Sequence, residues 1–488
     1  MGLAQLPRLE LELDGAPAAP GLMAQLSAVD ILARADAPTT CRLRWHDPDM
    51  ALAASGALEL ERRLRVLVGD ERVPLFSGAV SHSRLLLKGG EPVIEVTASD
   101  RLAALDRRYR QSSHLDMSFG DLARMFLADL GIAVVGADDG PSLPVLIQPG
   151  LSELEMLTRV GQRVGRHFHL DQETLWTFDA EGLTLPAIEL RPETGLLEAD
   201  IGRGTSVAGV VAQAWDTSHG EAVPEAAVGE AGATMARTLA GIPVLEAGES
   251  LARARTELGH ERGKANRLIA RVEGNRQLRP GIRVELPGLA PAYAGPHTLM
   301  SVRQRIDAQA GWLSELDSTP PALPAIATTG VALAVVVAVD DPRGLGRVRV
   351  ALPAHAGLET GWLQALAAGA GVDKGLVAIP DVGDRVLVVL PEGDPARGIV
   401  LGGLFGPDGP TDSGVSGGRV RRHGFGSRSG NRLILDDEAE SLRLEAGNGS
   451  VLQLLPGVVR LVAKGNIELE AAGGSVTIRG RRIDFVQG

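Results

Sequence analysis

Cysteine is nearly missing from this sequence. Cys41 is the only one among 488 residues, which excludes an internal disulfide framework and a thiolate metal cluster. It reads as a small buried apolar side chain. Aromatic residues make up 3% of the chain, too few to favour an aromatic-lined ligand pocket. A signal peptide is not expected, because MGLAQLPRLELELDG has neither a basic flank nor an apolar core. The sixth residue lacks the hydroxyl that myristoylation wants. The longest aliphatic run, VALAVVVAV at 331–339, has about half the length of a bilayer span. Synthesis and first folding in the cytosol follow as expectations. Positive charge is also short. Lys and Arg number 49 against 61 Asp and Glu, a net charge of -12. Such a chain is not drawn to polyphosphate, so nucleic acid is not expected as a partner.

What the chain does have is glycine, 61 residues of it, with 44% hydrophobic content. That combination suits many short strands and tight turns around packed cores. Residues 1–110 read mostly as strands: LELEL (9–13), ALELERRLRVLV (57–68), PLFSGAV (74–80) and VIEVTAS (93–99). RLAALDRR (101–108) reads as a short helix. Residues 111–195 are more helical. In 118–131, Leu122, Met125 and Phe126 share a face and Gly131 is a natural stop. In 152–165, Ser152 and Glu155 form a capping box, with Leu157, Val160 and Val164 on one face. Residues 167–179 read as a hairpin. Residues 196–318 return to strands, interrupted by a helix near 249–263 with Leu251, Ala254 and Leu258 in register. The proline-rich 319–330 is a linker. Five strand-like runs in 331–406 suggest a small barrel of the OB type. Residues 407–430 hold seven glycines and read as a second linker.

The last 58 residues, 431–488, carry alternating apolar pairs that begin at Leu442, Leu452, Val459, Ile467, Val476 and Ile483. A short fixed period marks a stacked architecture. One eight-residue unit buries two aliphatic side chains for about 4–6 kcal/mol, against about 8–16 kcal/mol of backbone ordering. The unit therefore needs neighbours. A single chain could coil into a solenoid, but 58 residues give only about three coils, near the minimum for such repeats. Three chains wrapped into a triangular prism also remove the open edges, and this arrangement is favoured. Leu442, Leu444, Val459, Leu461, Ile467, Leu469, Val476 and Ile478 would form its interior. Gly447, Gly449, Gly465, Gly473, Gly474 and Gly480 would turn its corners. Arg460, Glu468, Glu470 and Arg479 would face water.

The assembled order resembles a VgrG-type spike and hub protein of a contractile injection system, a class that includes phage tails, extracellular injection particles and type VI secretion. The barrel carries the likeness most specifically. Asp341, Pro342, Gly344, Gly346 and Arg347 form an Asp-Pro-x-Gly-x-Gly-Arg turn. Trp362 follows in a strand, then Pro380, Gly383 and Asp384, then Gly393, Asp394 and Pro395. VIEVTASDRLAAL, SELEMLTRVGQRVGRHFHLD and RPGIRVEL with GPHTLMSVRQRID are similar to the hub part less specifically.

The resemblance implies a mainly β fold with small α/β insertions: two tube-like hub β-barrel domains, an OB-fold barrel and an intertwined β-helical needle formed by a homotrimer. It implies a structural spike that joins inner tube and baseplate to a membrane-piercing needle, not an enzyme, with no cofactor. Partners implied are the chain itself, inner-tube or tube-initiator and baseplate proteins, a PAAR-type tip protein near Ile483, Phe485 and Val486, and, transiently, a target membrane. The particle would be assembled in the bacterial cytoplasm and act within a virion, an extracellular particle or a membrane-docked machine. A lysozyme-type insertion has no room in the gap between barrel and needle, which argues against the alternative of a spike with cell-wall hydrolase activity. A further alternative is a monomeric OB-fold binding protein. Residues 331–409 carry nine acidic and six basic residues, with Trp362 and Phe405 as their aromatics, so neither a cationic groove nor a stacking platform is expected there.

Other motifs are weaker. His167 and His169 share one strand face, a spacing that zinc sites use, but no third ligand is identifiable, so no metal is expected. GLGRVR (344–349) and GHERGKAN (259–266) depart from phosphate-loop patterns, and the first reads as a turn. No G-x-S-x-G elbow is present. Arg419, Arg421 and Arg422 form a basic patch, read as solvated linker with docking to acidic surfaces of neighbouring chains as the sharper alternative.

Overall fold

The computed structural model describes residues 8–486 except 70–72, 89, 137, 218–220, 224–225, 230–235, 246, 324–328 and 408. Part of the expected linker 319–330 thus lies outside the described residues. The chain forms two compact units, Met1–Leu404 and Phe405–Gly488.

The first unit is built on an eleven-stranded sheet. Its order runs from Leu196–Arg203 through Asn266–Glu273, Gly311–Asp317 and Ser301–Asp307. It crosses to Leu26–Arg34, Thr40–His46, Glu91–Ser99, Pro74–Lys88, Arg63–Val68 and Leu9–Leu13, and ends at Ala16–Pro17. Strands expected in two separate hub barrels therefore share one hydrogen-bonded sheet. The join is antiparallel, with Ser301 opposite Arg34 and Asp307 opposite Ala28. Alternation tells which face of a strand is buried and not which strand lies beside it. Two cores remain distinct. Leu43, Trp45, Val66 and Val96 are buried in one, and Leu268, Val284, Leu286 and Leu299 in the other.

The insertion 111–195 supplies two helices, α1 (Phe119–Leu127) and α2 (Glu153–Val164). Both start with capping boxes, Ser118 with Asp121 and Ser152 with Glu155. Leu122 and Phe126 of α1 are buried, but Met125 is exposed and leaves the expected face. The α2 helix ends at Gly165 in the left-handed region, φ +70°, where glycine is unstrained. The hairpin His167–Asp171 with Thr174–Phe178 forms as expected and adds Ala133–Gly136 as a parallel neighbour. The helix expected near 249–263 is α3 (Ala247–Ala265). Its Ala254 and Leu258 pack on the sheet of Gly209–Asp216. The expected strand 57–68 begins only at Arg63, because Glu61 turns the chain at φ +65°.

Residues 330–404 fold as a six-stranded sheet ordered Leu358–Glu359, Arg349–Leu352, Gly330–Ala338, Arg385–Leu390, Ile399–Leu404 and Gln364–Ala365. An isolated bridge, Val348 to Leu363, ties its two ends. Ala334, Val336, Val350, Val386, Val388 and Val400 fill the core. Trp362, expected within a strand, lies just before a strand of two residues.

The second unit is an antiparallel meander of Arg422–Gly426, Arg432–Asp436, Ser441–Glu445, Val451–Leu455 and Val458–Val462. Part of the glycine-rich stretch 407–430 is thus itself strand. Residues opposite one another in an antiparallel pair share a face. Phe425, Leu433, Leu444, Leu452 and Leu461 therefore form one apolar row. Leu435, Leu442, Leu454 and Val459 form the second. Gly447 lies so close to the Ser429 carbonyl that a Cβ would stand 2.1 Å from its oxygen. Strands expected around Ile467, Leu469, Val476, Ile478 and Ile483 do not form in the single chain, where residues 463–486 carry no strand. A strand needs a ladder beside it to satisfy its amides, and none is present there among the described residues.

Candidate functional site

The residues singled out in the barrel fall into three constellations. The first is the Asp341–Arg347 turn. Asp341 accepts main-chain N–H bonds from Arg343 at 3.1 Å and Leu345 at 2.9 Å. It also accepts from Arg347 Nε at 3.1 Å and Nη2 at 2.7 Å. Both side chains are buried, at 2% and 6% exposure. The Arg347 guanidinium, helped by the main-chain donors, holds the Asp341 carboxyl well below the usual carboxylate range. Gly344 and Gly346 take φ of +65° and +69°, which only glycine adopts without strain. The segment is a self-bonded turn.

The second constellation is the Pro380–Asp384 corner. Gly383 N donates to Val336 O, and Val336 N donates to Asp384 O, both at 2.9 Å. The Asp384 carboxylate accepts from Asp381 N at 2.8 Å. Trp362 is half-buried and lies outside both groups.

The third constellation, around Pro391–Arg397, reaches beyond the barrel. Two 3-10 turns place Glu392 at φ +52° and Gly393 at φ +65°. Asp394 caps the second turn by accepting from Ala396 N at 3.0 Å. Arg397 is 1% exposed and bonds the Pro243 carbonyl and Glu249 of α3. It also pairs with Glu392 at 3.2 Å and Asp394 at 3.3 Å. Arg163 of α2 pairs with Glu249 and, at 3.3 Å, with Asp394. Arg253 of α3 pairs with Glu392 at 3.0 Å. Three guanidinium groups thus meet three carboxylates where the barrel docks on α2 and α3. Beside them Ile147, Leu245, Leu358 and Ala396 pack together. Burial opposes ionisation of Glu249, but Arg163 and Arg397 outweigh it and bring its carboxyl down to about 2. Burial and the neighbouring Arg163 lower Arg397 to about 10, so Glu249 and Arg397 both stay charged near neutral pH.

This arrangement joins elements of the first unit. The Gly-Asp-Pro motif was visible in the sequence, but its partners Arg163, Glu249 and Arg253 were not. Arg163 gave a faint signal, a cation in the last turn of a helix whose other face is apolar. On the His167/His169 face the first ring is half-buried and the second is buried. His167 Nδ1 lies 2.7 Å from Asp36, and His169 is 4% exposed. Among the described residues no three His, Cys, Asp or Glu side chains converge as metal ligands. In the second unit, Arg422 of the basic patch is bonded to Asp412 at 2.8 and 3.0 Å. The eight residues expected in a needle interior do not form a core in the single chain. Leu444, Val459, Leu461, Ile467, Leu469, Val476 and Ile478 are all exposed, and Ile483, Phe485 and Val486 with them.

Residues 332–405 match the type VI secretion system/phage-baseplate injector OB domain. The chain resembles VgrG-type spike proteins. Its fold is similar to the E. coli c3393 protein, a type VI secretion component with structural similarity to T4 bacteriophage tail proteins gp27 and gp5. That match has a TM-score of 0.56 at 14% identity and covers 81% of this chain and 99% of the other. VgrG-type architecture recurs in the lidded Francisella PdpA-VgrG complex, with a TM-score of 0.52 at 8% identity, covering 94% of this chain and 80% of the other. A tail protein from Neisseria meningitidis MC58 is similar with a TM-score of 0.50 at 17% identity over 65% of this chain and 98% of its own. No curated protein matches the sequence. Among the described residues no helix is long and apolar enough to cross a membrane.

Proposed function

We propose that this chain is the subunit of a homotrimeric spike in a contractile injection system. Residues 1–318 act as the hub towards inner tube and baseplate, the OB domain as collar, and residues 431–488 as a needle that pierces a target membrane. In this reading a PAAR-type tip protein seats on Ile483, Phe485 and Val486. The action is mechanical, and the chain itself carries out no catalysis. The injector OB match and the VgrG-like fold support a spike role. The observation that carries the trimer is the uncovered apolar face of the second unit. Phe425, Leu435, Leu444, Leu452, Leu454, Val459 and Leu461 are each 38–65% exposed. Fully burying one such side chain contributes ~1.5–3 kcal/mol, so covering the two rows offers on the order of 10 kcal/mol per chain. Exposed apolar faces of this extent mark association surfaces. Closed three-fold packing also gives residues 463–486 the ladder they lack.

Light scattering tests this directly. A trimer has three times the chain mass of 51.0 kDa. A particle of one chain mass at micromolar concentration refutes the proposal.

A further inference from the structure

The first unit holds a cleft of about 800 Å³ that the spike reading leaves unused. Its size falls in the range of pockets that enclose a compact ligand, ~300–1,000 Å³. Three polar atoms on its wall are buried without a hydrogen-bond partner among the described residues: Arg166 Nε, Arg283 Nε and His297 Nδ1. Buried polar atoms are nearly always satisfied in folded proteins, by protein, water or ligand, so such a cluster along one cleft has hydrogen-bonding capacity to offer a ligand. His297 is 3% exposed, and its ring bonds the Asn266 backbone. Burial keeps the imidazole below its ordinary pKa and therefore neutral, so the bare Nδ1 is an acceptor that calls for a donor. Arg166 is committed to Asp138 and Asp179 through its terminal nitrogens. Among the described residues the Arg283 side chain bonds the Leu185 carbonyl at 3.1 Å and forms no ion pair. On the rim, Arg255 and Arg262 of α3 stand two helical turns apart, are exposed, and make no ion pair among the described residues.

The ligand must therefore offer acceptors and negative charge to the arginines and an N–H or O–H donor to His297. A polyphosphate meets the first need but offers nothing to the apolar wall, whereas a peptide with acidic side chains brings negative charge, main-chain N–H donors and apolar side chains together. Met300, Val164, Leu258 and Pro320 supply apolar wall between the charges, which suits aliphatic residues alternating with the acids. We infer that this cleft binds an acidic, extended polypeptide segment of a partner protein. The inference makes no use of the trimer.

The test uses the full-length protein and a fluorescein-labelled synthetic pentapeptide, Glu-Leu-Glu-Leu-Glu, followed by fluorescence anisotropy. Binding is expected, weakening as salt is raised. The exposed pair of changes Arg255→Glu and Arg262→Glu should lower affinity by at least ~tenfold, because two attractive contacts become repulsive. A backbone N-methylated version of the peptide should bind at least ~threefold more weakly, because the donor to His297 is gone. No binding overturns the proposal, as does unchanged affinity in the double variant. Equal binding of Lys-Leu-Lys-Leu-Lys, or full displacement by tripolyphosphate, overturns the assignment to an acidic peptide.

Discussion

Replacing Glu249 by Gln removes one charge from the cluster that joins the barrel to α2 and α3. With Glu249, Glu392 and Asp394 against Arg163, Arg253 and Arg397, the cluster is neutral. Glu249→Gln leaves it at +1, with Arg397 at 1% exposure. Breaking a buried pair by removing one partner costs ~3–5 kcal/mol. Asp394 lies 3.3 Å from both Arg163 and Arg397, so neither cation is left alone and the lower end, ~3 kcal/mol, is expected. At a urea slope of about 3 kcal/mol/M this lowers the unfolding midpoint by ~1 M. The transition should be followed by hydrogen exchange in α3 and in Arg385–Leu390, so that loss at the joint is separated from loss elsewhere. Arg163→Met, Glu249→Leu, Arg397→Met and Asp394→Asn together leave Glu392 paired with Arg253 and should recover most of the difference, since apolar replacement of a buried charge cluster is often neutral. A Glu249→Gln protein with the wild-type midpoint, or a quadruple variant as weak as the single, refutes the reasoning.

Acid should reveal the same carboxylate. Its folded value of about 2 lies below the ordinary 4.5, so its contribution is complete above pH 4.5 and is lost as pH falls towards 2. That is ~3 kcal/mol at 1.36 per unit, and Glu249→Gln should show a smaller acid loss in urea titrations at each pH. Asp341→Asn should cost ~2–4 kcal/mol by weakening the hold on buried Arg347, read as faster hydrogen exchange at Arg349–Leu352; unchanged protection would show that the turn does not depend on the charge. On the proposed trimer, Leu454→Asp should give smaller species in light scattering, because a carboxylate at the proposed three-fold face would oppose assembly. An intact trimer of that variant would place Leu454 outside the interface.

Local features were the legible ones. Ser152 and Glu155 announced a capping box and Gly165 a stop, because both act within one turn of helix. The Asp341–Arg347 turn was readable for the same reason, since all its bonds close within seven residues. Met125 was misplaced because periodicity gives a face and not the depth of its edges. The joint between Leu26–Arg34 and Ser301–Asp307 was invisible: nothing in a strand's own residues names a neighbour hundreds of positions away. Arg163, Glu249 and Arg397 escaped for that reason too. The apolar rows of the second unit were seen in part. Leu442 and Leu444 stood out by repetition, whereas Leu433 and Leu435 sat inside what read as the start of a domain.

That same distant strand pair sets a schedule for synthesis. Arg303 bonds Asp30 across 273 positions of chain. A ribosome adding ~5–20 residues per second needs roughly 14–55 s to bring them out in turn. Through that interval Leu26–Arg34 offers an unpaired edge to anything nearby, and its Asp30 and Arg34 are the kind of charges that discourage a wrong strand from settling there.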